Sequence, residues 1–253
     1  MSNVFRYPAL AFALSFFAQW LAARIGDSFR KKRRPLTEDE RKDFGVVVAA
    51  TLTLLGLIIG FSFSMAITRY DQRKLYEEAE ANAIGTEYVR ADLLPAGDGA
   101  RVRELLKRYI DQRVLSYTTR DTVQLGKIDA DTAQLQNELW STVQGVAAVQ
   151  RTPVVALTVS GMNDVLNAQG YTQAAWLNRI PVAAWVLMMA IAICCNLLIG
   201  IDAHQTNRLL LFVLPLLVSI SFFLIADIDS PRRGIIRVVP QNLLALSRSL
   251  HPR

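Results

Sequence analysis

Four blocks of this chain are long and nearly free of charge, and such blocks leave few choices of fold. They run from Tyr7 to Ala23, Gly45 to Ile67, Pro181 to Ile201 and Leu209 to Ile228. A bilayer core needs roughly 20 apolar residues in helical form. Inside it every backbone N–H and C=O must be satisfied by the chain itself, so only helices and closed barrels can cross. No strand-like alternation of useful length accompanies the blocks, which predicts helices. Composition agrees: 52% of the 253 residues are hydrophobic, and the mean hydropathy is +0.24. The first block is the shortest. Arg6 alone precedes it, and a basic run follows it instead of a small-residue cleavage site, so it is predicted to be a span and not a cleaved signal. Gln19 is the strongly polar residue within it, Asn196 the one within the third, and Asp227 ends the fourth.

The net charge is +6, and the basic residues gather beside the blocks. Arg30, Lys31, Lys32, Arg33 and Arg34 follow the first, and Arg232 and Arg233 follow the fourth. Lys and Arg at such places are topology signals and contacts for anionic lipid, not a nucleic-acid footprint. Arg69, Arg73, Lys74, Arg179, Arg232, Arg233 and Arg237 flank the face opposite the loop that carries the Arg30–Arg34 run. The positive-inside rule therefore does not assign a side to the polar segment 68–179.

Little in the chain points to catalysis, a metal or a cofactor. Cys194 and Cys195 are adjacent within the third block, poorly placed for an ordinary disulfide. His204 and His251 have no partner at ligand spacing. No G-x-S-x-G, H-E-x-x-H or P-loop is present. The acidic residues from Glu77 to Glu87 lie among Lys and Arg, and are expected to form a solvated, ion-paired helix face.

The organisation follows: 1–67 holds two spans and a basic loop, 68–179 an extramembrane helical domain continuous with the second span, 180–228 two further spans, and 229–253 a polar tail. Within 68–179 the first helix is expected to run to the PAGDGA turn at Pro95. A second carries Val102, Leu105, Leu106, Tyr109, Ile110 and Val114 at helical spacing. A loop is expected near Arg120 to Lys127. A third helix is expected from about Asp129, capped by Asp129 or Asp131, to Gln150. A fourth is expected to begin after Pro153 and to fade near Gly170.

The second span carries the most informative pattern. Gly56, Gly60 and Ser64 recur every fourth residue, a stripe that lets helix backbones approach closely in lipid. On a neighbouring face Thr53, Leu57, Phe61, Met65 and Thr68 also recur at helical steps. That face suits either packing against lipid or helices, or an apolar constriction that gates a pore by dewetting.

The stretch GFSFSMAITRYDQR, its continuation EEAEANAIGTEYVRADLLP and the later FFLIADIDSPRRGIIRV resemble the bacterial bestrophin-like domain family, from about Lys42 to Val238. Through that family the chain is distantly similar to bestrophins, pentameric anion channels with four spans and a helical cytosolic portion. The resemblance implies an all-α membrane protein with four transmembrane helices and a helical extramembrane domain. In bestrophins Gly-Phe on the second span is followed eight residues later by Arg. Gly60-Phe61 and Arg69 meet that spacing. It implies a pore neck at Thr53, Leu57 and Phe61, and anion attraction at Arg69. Thr53 is smaller and more polar than bestrophin neck positions, and Tyr70-Asp71 stand where an aromatic pair is common. Asp227, Asp229, Arg232 and Arg233 are expected to cap the fourth span and dock the tail on the helical domain through ion pairs.

The resulting expectation is a non-enzymatic, homopentameric anion channel of the chloride type in the bacterial inner membrane, with lipid and small anions as partners and no cofactor. Two other readings stand beside it. One is a non-conducting scaffold or sensor whose helical domain binds a partner. The other is a lipid-active membrane enzyme, for which only the Asp227, Asp229, Arg232 and Arg233 group offers convergent polar residues.

Overall fold

The computed structural model describes residues 7–32, 37–202 and 209–251. His204, Arg33 and Arg34 lie outside them. Among the described residues the secondary structure is helical throughout, without strands. In chain order it comprises α1 (Pro8–Lys32), α2 (Glu38–Arg90), a 3-10 turn (Ala91–Leu93), α3 (Ala96–Thr118), α4 (Thr122–Val149), α5 (Pro153–Leu177), α6 (Val182–Asp202), α7 (Leu210–Asp229) and α8 (Gln241–Leu250). Four helical stretches are long and apolar enough to cross a membrane: Pro8–Lys32, Glu38–Leu93, Pro153–Ile201 and Leu211–Asp229. The chain divides into two compact units. A membrane unit comprises Met1–Arg69 and Arg179–Arg237, and a helical unit comprises Tyr70–Asn178 and Val238–Arg253. The tail, expected as one segment, is thus shared between them.

Helix α2 is a single run of 53 residues, about 80 Å at 1.5 Å per residue. It begins at a capping box. The Glu40 N–H donates to Thr37 Oγ1 at 3.4 Å, and the Thr37 N–H donates to Glu40 Oε2 at 2.9 Å. This satisfies donors that a free helix end leaves open, and Glu38, Asp39 and Glu40 suit the positive end of its dipole. No Pro or Gly pair interrupts the helix between the span and the charged half, so nothing stops it there.

In the membrane unit α1 packs along α6 and α7. The close approach of α1 and α6 rests on Gly26 and Gly200. A β-carbon at Gly26 would overlap the Leu197 carbonyl oxygen, and one at Gly200 the Ala23 carbonyl oxygen. Polar side chains then tie three helices together. Asn196 Nδ2 on α6 donates to Gln19 Oε1 on α1 at 3.1 Å and to the Ala192 carbonyl at 2.8 Å. Gln19 Nε2 donates to Ser219 Oγ on α7 at 3.3 Å. All three side chains are buried, so an unmet polar group would be costly there and the pattern fixes helix register.

The helical unit has one apolar core, in which Ile84, Val102, Leu106, Tyr109, Ile110, Leu139, Val143, Met162, Val165 and Leu243 are buried. Its helix ends differ from the sequence expectation. The PAGDGA stretch is already helical from Ala96, with Pro95 at the cap. Helix α4 starts at Thr122, because the Asp121 carboxylate accepts from the Val123 N–H at 3.0 Å. The expected loop to Lys127 therefore shrinks to the residues around Asp121, and Asp129 and Asp131 lie within the helix. Helix α5 continues past Gly170 to Leu177. Its start matches expectation: Pro153 opens it and Thr152 Oγ1 accepts from the Val155 N–H at 3.2 Å.

Candidate functional site

One strip of α2 is buried along most of its length. Leu55, Ser62 and Ala66 are buried in the span and Arg69 is largely covered. Further along, Arg73, Glu77, Glu80, Ile84 and Glu87 are buried too. Their spacing in steps of three and four is that of a helix seam. The expected solvated acidic face is thus corrected. Glu77, Glu80 and Glu87 are each 0–1% exposed, and they face inward.

Two of these carboxylates are fully engaged. Glu80 forms a buried ion pair with Arg113 of α3, whose Nη2 donates at 3.4 Å, and accepts from Thr172 Oγ1 of α5 at 3.1 Å. Burial draws the Arg113 guanidinium down, but the field of Glu80 and its hydrogen bond leave it above its ordinary value. Glu77 serves α8 as a cap from outside that helix. Its Oε1 accepts from the Leu243 N–H at 2.9 Å and its Oε2 from Asn242 Nδ2 at 2.7 Å. A carboxylate at a helix N-terminus is favoured both by the open N–H groups and by the dipole.

Within the membrane unit, Arg69 lies at the end of the buried strip, where its Nη1 faces Asp229 Oδ1 at 3.5 Å. Asp229 Oδ2 accepts from the Ile180 N–H at 3.0 Å. The positive charge expected to attract anions is therefore accompanied by a carboxylate. Asp227 accepts from the Ile235 N–H through Oδ1 and the Ile236 N–H through Oδ2, each at 2.8 Å. Gly234 permits this turn, since a β-carbon there would overlap the Asp227 carbonyl oxygen. At Asp227 the tail is held by backbone amides where ion pairs were expected. Arg233 lies over the Tyr7 ring, 4.4 Å from its centroid, and Arg232 is also engaged.

The opposite faces of the α2 span are bare within the chain. Leu57 is 52% and Phe61 65% exposed, and Thr53 is exposed beside them. Among the described residues nothing lies within 4 Å of where a β-carbon would stand on Gly56 or Gly60, and Ser64 is exposed. Close small-residue packing inside the chain falls instead on Gly26 and Gly200. Sequence reasoning noticed Gln19 and Asn196 without giving them partners, and it missed Glu77, Glu80 and Arg113. The spacing of 73, 77, 80, 84 and 87 was the signal for the last group.

Fold and site together define an all-α, multi-pass membrane protein in which one long helix carries a bare apolar face in the span and a buried charged seam beyond it. The chain belongs to the Bestrophin-like family: the model of the Bestrophin-like domain matches residues 9–243. No curated protein matches the chain. Among solved structures it is similar to a bacterial bestrophin homologue from Klebsiella pneumoniae, at TM-score 0.64 and 13% identity over 96% of this chain and 99% of that one. A variant of that homologue gives TM-score 0.62 and 13% identity over 96% and 97%. A crystal structure of a membrane protein gives TM-score 0.64 and 12% identity, covering 96% of each chain. At these identities the likeness establishes the fold.

Proposed function

We propose that copies of this chain assemble, as a homopentamer, into a channel for small anions such as chloride in the bacterial inner membrane, with α2 around the axis. The observation that carries this reading is the bare face of α2. A spanning helix that leaves Leu57 and Phe61 about half exposed or more has room on that side for other copies or for a pore. Rings of such side chains, with Thr53 a turn earlier, form a neck that empties of water when narrow and conducts when widened. Gly56, Gly60 and Ser64, uncovered on the adjacent face, let neighbouring helices approach closely enough to keep that neck narrow. Arg69, eight residues past Phe61, adds positive charge at the end of the neck, moderated by Asp229 at 3.5 Å.

The test is electrical. Purified protein in planar bilayers is expected to carry anion-selective current, and Phe61→Ala to enlarge it. Absence of current across a range of anions, cations and pH overturns the reading and favours a non-conducting scaffold. Particle mass in detergent provides a second check, because a monomer cannot form the neck.

A further inference from the structure

Glu87 stands apart from the other carboxylates of the seam. It is 0% exposed, yet neither of its oxygens has a hydrogen-bond partner. It projects onto α5 at Gly161, where a β-carbon would overlap Glu87 Oε2 and Arg90 Nη1. One turn earlier on α5, the Thr158 hydroxyl is likewise buried and unpartnered. A cleft of about 280 Å³ lined by Asn82, Thr86, Arg90, Gly161 and Asp164 opens at the same place. The charged groups facing the carboxyl are Arg90, one turn on along α2, and Asp164 on α5. Asp92 of the 3-10 turn is 64% exposed and paired with Arg103 of α3. Glu80 is held by Arg113. Among the described residues Arg90 is therefore the one cation facing Glu87, and Asp164 works against it.

We propose that Glu87 is a proton-binding site of the helical unit, neutral when packed against Gly161, and that its ionisation loosens the contact between α2 and α5 beside the Asn82–Asp164 cleft. The physical ground is desolvation. Burial disfavours an ionised carboxylate that accepts no hydrogen bond, whereas a neutral acid avoids that cost. Burial is the largest influence and pushes the carboxyl up to about 8, with Arg90 drawing it down and Asp164 pushing it up. A carboxyl that holds its proton more tightly when folded favours the folded state fully below its unfolded value, near 4.5. That contribution is lost as pH rises from there through about 8. Glu87 therefore works opposite to an ordinary paired carboxylate, making the helical unit firmer in acid.

The experiment is a pH series on the full chain in detergent, reading thermal unfolding and the infrared band of protonated carboxylic acid. Wild type is expected to lose both melting temperature and the band with a midpoint near 8. Glu87→Gln should remove the band, flatten the melting profile over that range and melt above wild type at the alkaline end. Asp164→Asn, at an exposed position, should move the band midpoint down, and Arg90→Gln should move it up. Equal pH slopes for wild type and Glu87→Gln, or no such band in wild type, overturn the proposal. If Glu87→Gln does not fold, the Asp164→Asn midpoint decides: an unmoved midpoint overturns the site and a lowered one upholds it.

Discussion

Glu80 and Arg113 meet across the core of the helical unit, at 0% and 5% side-chain exposure, as a fully enclosed ion pair between α2 and α3. Thr172 of α5 completes the acceptor shell at 3.1 Å. The pair joins three helices at one point. Two enclosed charges gain little net energy over apolar residues of similar shape, but one left without the other is costly.

That asymmetry is measurable. Glu80→Leu or Arg113→Met alone is expected to destabilise the unit by about 3–5 kcal/mol. The double variant should recover a large part of that loss. Denaturant unfolding of the detergent-solubilised protein, followed by circular dichroism, gives the four corners of the cycle. Additive losses would contradict the enclosed pair.

The α1–α6 crossing predicts a contrast between glycines. Gly200→Ala puts a methyl group into the Ala23 carbonyl oxygen, and should cost about 1–3 kcal/mol as the helices separate. Gly145→Ala meets nothing within 4 Å inside α4, and should gain up to about 1 kcal/mol from helix propensity. Melting temperatures of the two variants should move in opposite directions.

Removing the external cap of α8 should release that helix before anything else opens. Glu77→Ala deletes the acceptor for the Leu243 N–H and Asn242 Nδ2, a loss of about 1–2 kcal/mol by the usual worth of a cap. Hydrogen exchange should rise first at Leu243 and its neighbours in 241–250. Unchanged protection of the Leu243 amide would count against this role.

Phe61 should separate stability from function. At 65% exposure, truncation to alanine should alter the stability of the isolated chain by no more than about 0.5 kcal/mol. The same substitution is expected to change particle mass or current. A large stability loss with no effect on either would return Phe61 to ordinary packing within the chain.

The spans were legible because long apolar runs have one meaning in a chain of this kind: α6 and α7 match their blocks to within a residue, whereas α1 runs on to Lys32 and α2 begins at Glu38, both inside the expected basic loop. Asp121 was harder to see as a cap because Asp129 and Asp131 offered the same chemistry a few residues later. The buried seam was hidden for a physical reason. A search for apolar periodicity reads Arg73, Glu77, Glu80 and Glu87 as water-facing, although their spacing alone sets them on one side. Their partners Arg113, Thr172 and Asn242 lie far along the chain, and no local pattern announces them. The tail reads as polar in sequence, yet Leu243 is among its fully buried side chains.

The grip of Glu77 on α8 sets a parity condition on the protein's path through the bilayer. The segments 70–178 and 238–253 form one folded body, although α6 and α7 lie between them in the chain. A body on one face of a membrane can be rejoined only after an even number of crossings. With the helical unit on one face, as the sequence leads us to expect, the α6–α7 pair would go over and return as a hairpin, and insertion of only one of the two would strand α8 on the wrong face. Until both crossings are complete, Glu77 has no α8 to cap.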